Sequence, residues 1–113
     1  MTFLLVTDNL MTRARLEPAA RAAGAEVLAR GSERVPDLVA VDLTARGALE
    51  AIASWKAGHP SALILAFGPH VQTELLAAAR ESGATEVVPR GASERRLVAL
   101  LRRPEPGSAE PGG

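Results

Sequence analysis

Cysteine is absent from the 113-residue chain, so disulfides, thiolate nucleophiles and zinc–thiolate sites are excluded. An excess of charge of either sign is missing too. Thirteen basic and thirteen acidic residues cancel, which leaves no electrostatic case for nucleic acid or an acidic membrane surface. No apolar run approaches the roughly 18 residues of a membrane span. The opening residues 1–8 are too short, and lack the basic flank, for a secretion signal, so a cytoplasmic protein is expected. There is no glycine loop of the GxGxxG or Walker type, which disfavours a nucleotide-binding α/β domain, and no internal repeat. Lysine is nearly missing: twelve of the thirteen basic residues are Arg, with Lys56 the exception. What remains is a 47% hydrophobic, 23% charged chain of single-domain length.

Short apolar runs alternate with longer helical patterns. The runs lie at 3–6, 27–29, 38–41, 62–67 and 87–88, and most are continuously apolar, as parallel strands covered on both faces are. Between them, apolar residues recur every three to four positions: Leu10, Ala14 and Leu16; Ala48, Leu49, Ile52 and Trp55; Leu75, Leu76 and Ala79; Leu97, Val98, Leu100 and Leu101. Gly24, Gly58 and Gly83 each follow such a pattern, where a left-handed terminating residue would sit. The order is β-α-β-loop-β-α-β-α-β-α, a doubly wound five-stranded parallel sheet.

Two irregularities stand out. Pro18 falls inside the first helical pattern, so that helix is expected to kink or restart there. Residues 30–36, with Gly31 and Pro36, are all that joins strands two and three. A crossover needs about 10–12 residues, so the second crossover helix is expected to be shortened or absent. Residues 1–103 read as the folded domain. Residues 104–113, rich in Pro and Gly, hold nothing to anchor them in a core and read as a disordered tail.

In a doubly wound sheet, ligands bind beyond the carboxyl ends of the strands. Strand one ends at Asp8-Asn9, strand three at Asp42, strand four at Gly68-Pro69-His70, and strand five at Pro89-Arg90-Gly91. Of only three aspartates in the chain, Asp8 and Asp42 fall at this one edge and Asp37 opens strand three. Carboxylates gathered at strand ends can hold Mg²⁺ or expose a nucleophile. They also have plain structural uses, Asp8 as a helix cap and Asp42 as a strand terminator.

The stretches Leu5-Val6-Thr7-Asp8-Asn9, Pro36-Asp37-Leu38-Val39-Ala40-Val41-Asp42-Leu43 and Glu81-Ser82-Gly83-Ala84-Thr85-Glu86-Val87-Val88-Pro89-Arg90 resemble the receiver domain of two-component response regulators. The resemblance runs from about residue 3 to residue 102, and 36–43 is its most specific part. It implies strand order 2-1-3-4-5, an acidic pair after strand one for Mg²⁺, and a phosphoacceptor Asp after strand three. It further implies a Thr or Ser after strand four that senses the phosphoryl group and a Lys after strand five that pairs with it.

Carried over by position, Asp8 matches the first acid and Asn9 stands where the second is expected. Asp42 matches the phosphoacceptor. Gly68 takes the Thr/Ser position and has no hydroxyl. Arg90 stands for the Lys, Gly91 for the Pro that normally follows it, and Val87 for the switch aromatic. Asp8, Asn9 and Asp42 could hold Mg²⁺ weakly, with no cofactor required. Alternatively, an ion pair of Arg90 with Asp42 or Asp8 would plug the site and replace the metal.

The resemblance therefore implies a degenerate receiver, a pseudo-receiver that acts in signalling by being bound rather than by phosphorylation, and not an enzyme. Two alternatives stay open: a divergent receiver or phosphorelay member phosphorylated on Asp42, and a small α/β ligand-binding domain or enzyme sharing only the fold. The expected partner is another protein or a second copy in a homodimer, with no nucleic acid or membrane. The family docks through helix four, strand five and helix five, which puts Val71, Leu75, Glu86, Val88, Arg95 and Arg96 forward as interface candidates. The sheet face near Val27, Ala29 and Val39, left without a crossover helix, would need the 30–36 loop, neighbouring helices or a partner to shield it. His59 reads as a helix-end or loop residue, His70 as the opening of the helix after strand four, and Trp55 as packing.

Overall fold

Five short apolar segments pair in parallel in the computed structural model, which describes residues 1–102; the tail expected at 104–113 lies outside the described residues. The order along the chain is β1 (Thr2–Val6), α1 (Leu10–Ala22), β2 (Glu26–Leu28), β3 (Leu38–Asp42), α2 (Ala48–Gly58), β4 (Leu63–Gly68), α3 (Thr73–Ser82), β5 (Glu86–Pro89), a 3-10 turn at Arg90–Ala92 and α4 (Ser93–Arg102). The strands lie side by side as β2-β1-β3-β4-β5. This is the doubly wound sheet of the expected order.

The period-two alternation of a strand divides its residues between two cores. Phe3 and Leu5 of β1, Leu38 and Ala40 of β3, and Leu65 and Phe67 of β4 pack on one face against Leu16 and Ala20 of α1 and Leu97, Leu100 and Leu101 of α4. Leu4 and Val6, Val39 and Val41, and Ile64 and Ala66 pack on the other face against Ala48 and Ile52 of α2 and Ala79 of α3. All five residues of β3 are buried, which is why the four before Asp42 are apolar without alternation.

No helix joins β2 to β3. The connection is a turn, closed by Ser32 N–H donating to the Ala29 carbonyl and pinned by the Thr2 and Asp37 side chains. The sheet nonetheless needs no outside partner here: Val39 is fully buried, Leu4 and Leu28 nearly so, and Pro36 of the connection is itself buried. Val27 packs toward the α1/α4 core, so it does not lie on the face that lacks a helix. Ala29 is exposed.

Three local expectations are corrected. Pro18 sits inside one continuous α1 rather than restarting it. It leaves the Ala14 carbonyl without an N–H partner, but both residues face solvent, where water replaces the missing bond. Gly58 is the last residue of α2 without a left-handed conformation, and His59 caps the helix, donating its N–H to the Trp55 carbonyl and setting its ring 5.1 Å from the indole. Gly24 and Gly83 do adopt positive φ. His70 does not open a helix: Pro69 and Gln72 close a turn, and α3 begins at Thr73.

Candidate functional site

Alternation also decides what meets at the carboxyl edge of the sheet. Continuing the α1/α4 face upward from Phe3 and Leu5 reaches Thr7; from Leu38 and Ala40 it reaches Asp42; from Val88 it reaches Arg90. These side chains converge above Phe67.

The Asp42 carboxylate, 1% exposed, accepts four hydrogen bonds. Thr7 Oγ1 donates to Oδ2 at 2.7 Å. Oδ1 takes the Thr44 backbone N–H at 3.0 Å, the Thr44 hydroxyl at 2.7 Å and Arg90 Nη2 at 3.0 Å. The guanidinium lies 5.6 Å above the Phe67 ring and reaches the Thr44 and Thr12 hydroxyls at 3.3 and 3.5 Å. Burial pushes the Asp42 carboxyl up, but the bonds from Arg90, Thr44 and Thr7 outweigh it and hold it below the usual carboxylate range. Both oxygens are occupied by donors, and a fixed positive charge lies against one of them.

The other acid expected here is turned away. β1 ends at Val6, so the two residues after it are Thr7 and Asp8, and it is Thr7 that faces Asp42. Asp8 is exposed and accepts the Arg46 N–H at 2.9 Å, fastening the β3–α2 loop. Asn9 is the N-cap of α1, its Oδ1 taking the N–H groups of Met11 and Thr12 at 2.8 and 3.1 Å. The cap expected of Asp8 is thus made by its neighbour.

The residues present do not fit a divalent cation. Of the expected donors, Asn9 Oδ1 is committed to the helix, Asp8 to a backbone amide, and Asp42 to a guanidinium and two threonines. Among the described residues no three His, Asp or Glu side chains gather as a metal site would need. Thr7, Thr12 and Thr44 had no place in the sequence reading. Thr7 was within reach by counting twos from Phe3, and Thr44 by the tendency of Asp to bond the amide two residues on.

Gly68 ends β4 on the opposite face from Asp42 and packs against Leu43; a Cβ there would lie 3.2 Å from Leu43 Cβ. Val87 is half-buried against the α2/α3 core. Gly91 lies exposed in the 3-10 turn. His70 is exposed on its turn and joins nothing at the site.

The interface candidates are dispersed in what they do. Val88 packs beneath α4, Leu75 against the other core, and Arg96 pairs with Glu86 through two bonds of 2.9 and 2.8 Å. Val71, 73% exposed, and Arg95 remain open to solvent. A contiguous apolar patch does not form from these six.

The fold and its strand order are those of response-regulator receiver domains. The receiver domain of NtrX from Brucella abortus superposes with a TM-score of 0.77, at 22% identity over 89% of this chain and 95% of that one. HP1043, an orphan response regulator of H. pylori, matches with a TM-score of 0.73, 24% identity, and 91% and 97% coverage. A response regulator of Burkholderia pseudomallei, solved with a phosphorylated aspartic acid, calcium and citrate, matches at 0.76 and 22% identity over 88% of this chain and 65% of its own. No protein-family model and no curated protein sequence matches the chain. Among the described residues, no helix is long and apolar enough to cross a membrane.

Proposed function

We propose that residues 1–103 form a pseudo-receiver, with 104–113 as an appended tail, that works in signalling by binding a protein partner or a second copy of itself. Asp42 is a structural anion in it, not a phosphoacceptor. The observation that carries this reading is the closed coordination of Asp42. A carboxylate nucleophile needs an open lone pair in line with the incoming phosphorus, and a cation to neutralise the transferred oxygens. Asp42 is fully buried and accepts from Arg90, Thr7 and Thr44 at once.

The reporting parts are missing as well. With glycine at position 68, no hydroxyl there contacts a phosphoryl group differently from a bare carboxylate. A ligand without differential contacts shifts no equilibrium. The H. pylori neighbour is itself described as an orphan response regulator, which supports a place for this fold in signalling. The third reading, a ligand-binding domain or enzyme, is disfavoured because His70, Asp8 and Arg90 do not converge on an enclosed cavity.

Incubation with acetyl phosphate and Mg²⁺, followed by intact mass measurement, tests the reading. No added phosphoryl group is expected. A single addition abolished in Asp42→Asn would overturn it and make the chain a divergent, phosphorylatable receiver.

A further inference from the structure

A groove of about 380 Å³ runs between α1 and the edge strand β2, and Asp42 is not among the residues that line it. Val27 lies on its floor, Arg13, Glu17 and Arg21 of α1 form one wall, and Arg30, just past β2, forms the other.

The charge of this groove departs from that of the chain. Overall the acids and bases balance. Inside the groove, Arg13 and Glu17 pair at 2.5 Å, and outside its lining Arg34 pairs with Glu26 at the start of β2. Arg21 and Arg30 are both exposed, and neither has an acidic partner among the described residues. The groove therefore carries two uncompensated positive charges above an apolar floor.

Its backbone is also unpaired. β2 pairs with β1 alone, in the register Thr2↔Glu26, Phe3↔Val27 and Leu4↔Leu28, and Glu26 donates its N–H to the Met1 carbonyl. In a parallel ladder, alternate residues turn their peptide groups to the neighbour, so Glu26 and Leu28 bond inward. The N–H and C=O of Val27 point outward from the sheet. An edge of this kind accepts an added strand.

We infer that the α1–β2 groove docks an extended, acidic segment of another protein. That segment would hydrogen-bond to the Val27 peptide groups and place carboxylates against Arg21 and Arg30. The two features select for one chemistry: main-chain pairing requires an extended polypeptide, and the arginines require that its side chains be acidic. This inference goes beyond the role of Asp42, since the groove is the same whether or not that residue takes a phosphoryl group.

The test uses the full chain, labelled with ¹⁵N, and a synthetic peptide of alternating Glu and Val, with a Lys-and-Val peptide as its counterpart. The Glu peptide is expected to shift the amide signals of residues 26–30 and slow hydrogen exchange at the Val27 N–H; the Lys peptide should do neither. The double variant Arg21→Glu, Arg30→Glu should weaken binding of the Glu peptide at least about tenfold. Its thermal midpoint should be lowered by only a few degrees, because both side chains are exposed and the reversal costs no more than the lost favourable charge of Arg21 in the last turn of α1. Shifts confined elsewhere, or binding unaffected by charge reversal, would overturn the inference. So would a Val27 amide already protected in the protein alone: protection independent of concentration would assign the groove to the chain's own acidic 104–113 segment, and protection that grows with concentration to a second copy. Equal shifts with heparin would reduce the groove to a general polyanion site and overturn it as well. A phosphorylatable Asp42 would leave all of these readouts where they are, so the two proposals fail separately.

Discussion

Replacing Arg90 with methionine takes the guanidinium away from Asp42 while keeping most of the side chain's apolar length over Phe67. Removing one partner of a buried ion pair costs about 3–5 kcal/mol, because the other charge stays behind in a poor solvent. Two features of this site lower that figure. The Arg90 side chain is 33% exposed, so water can enter where the guanidinium was. Asp42 also keeps its three bonds from Thr7 and Thr44. A loss of about 2 kcal/mol is therefore expected, or a drop of about 8–16 °C in thermal midpoint for a domain of this size.

The cycle is completed with Asp42→Asn and the double variant. Asparagine keeps one acceptor oxygen for Arg90 and Thr44, and its amide can donate to a Thr7 hydroxyl that rotates to accept. That change should cost only about 1 kcal/mol. In its background no buried charge is left to strand, so Arg90→Met should cost about 1–2 kcal/mol less than in the native chain. Urea denaturation of all four proteins at neutral pH measures this. An Arg90→Met loss below about 0.5 kcal/mol, the scale of an exposed ion pair, or a coupling indistinguishable from zero, would refute the argument that this guanidinium stands in for a cation.

Asp42 also sets a pH dependence. Its carboxyl is held below the ordinary range in the folded protein, so its stabilising contribution is fully present above the unfolded-chain value of about 3.9 and is lost as pH falls through the folded value. Denaturation midpoints should fall in that acid window for the native chain and less steeply for Asp42→Asn; parallel curves would refute the assignment. Gly83 tests packing at the end of α3. It has a φ of +117°, and a Cβ there would lie 2.7 Å from Lys56 Cγ. Gly83→Ala should therefore cost about 1–3 kcal/mol, more than Gly31→Ala, which shares the positive φ but meets nothing within 4 Å. Thermal melts of the two variants decide this, and equal losses would remove Lys56 from the explanation.

The sheet was legible because the buried strands leave continuous apolar runs, and the missing crossover helix because seven residues with Gly31 and Pro36 cannot make one. Helix ends were less so. Pro69 marks the end of β4 but does not start a helix, since the turn it opens runs to Gln72 before α3 can begin. Pro18 misled for another reason: a proline on the outer face of a helix loses one bond that water can replace, and the packing of Leu16 and Ala20 on the inner face keeps the helix whole. At the site, Asp42 and Arg90 were visible as charges at strand ends. Thr7 was passed over because an acid next to it drew the comparison with the family by one residue. The alternation that buries Phe3 and Leu5 fixes Thr7 toward Asp42 and sends Asp8 out to the Arg46 amide.

That one-residue difference changes the electrostatics of the whole edge. A site of the kind the resemblance implies gathers three carboxylates, a divalent cation and a lysine, whose charges sum to zero only when the metal is bound. Here the inward residue after β1 is a threonine, the outward Asp8 is spent on a backbone amide, and the positive group is a guanidinium joined to the chain. One carboxylate and one arginine already sum to zero. The substitutions at positions 7 and 90 are thus complementary: threonine removes the negative charge that would call for a metal, and arginine, with donors in a rigid fork, satisfies the carboxylate that remains. The threonine alone settles the charge, since lysine and arginine carry the same one; an acid kept at position 7 would leave a negative charge unbalanced in a buried pocket, at a cost of several kcal/mol. Together the threonine and the arginine leave a neutral edge in which both oxygens of Asp42 accept hydrogen bonds from the chain itself.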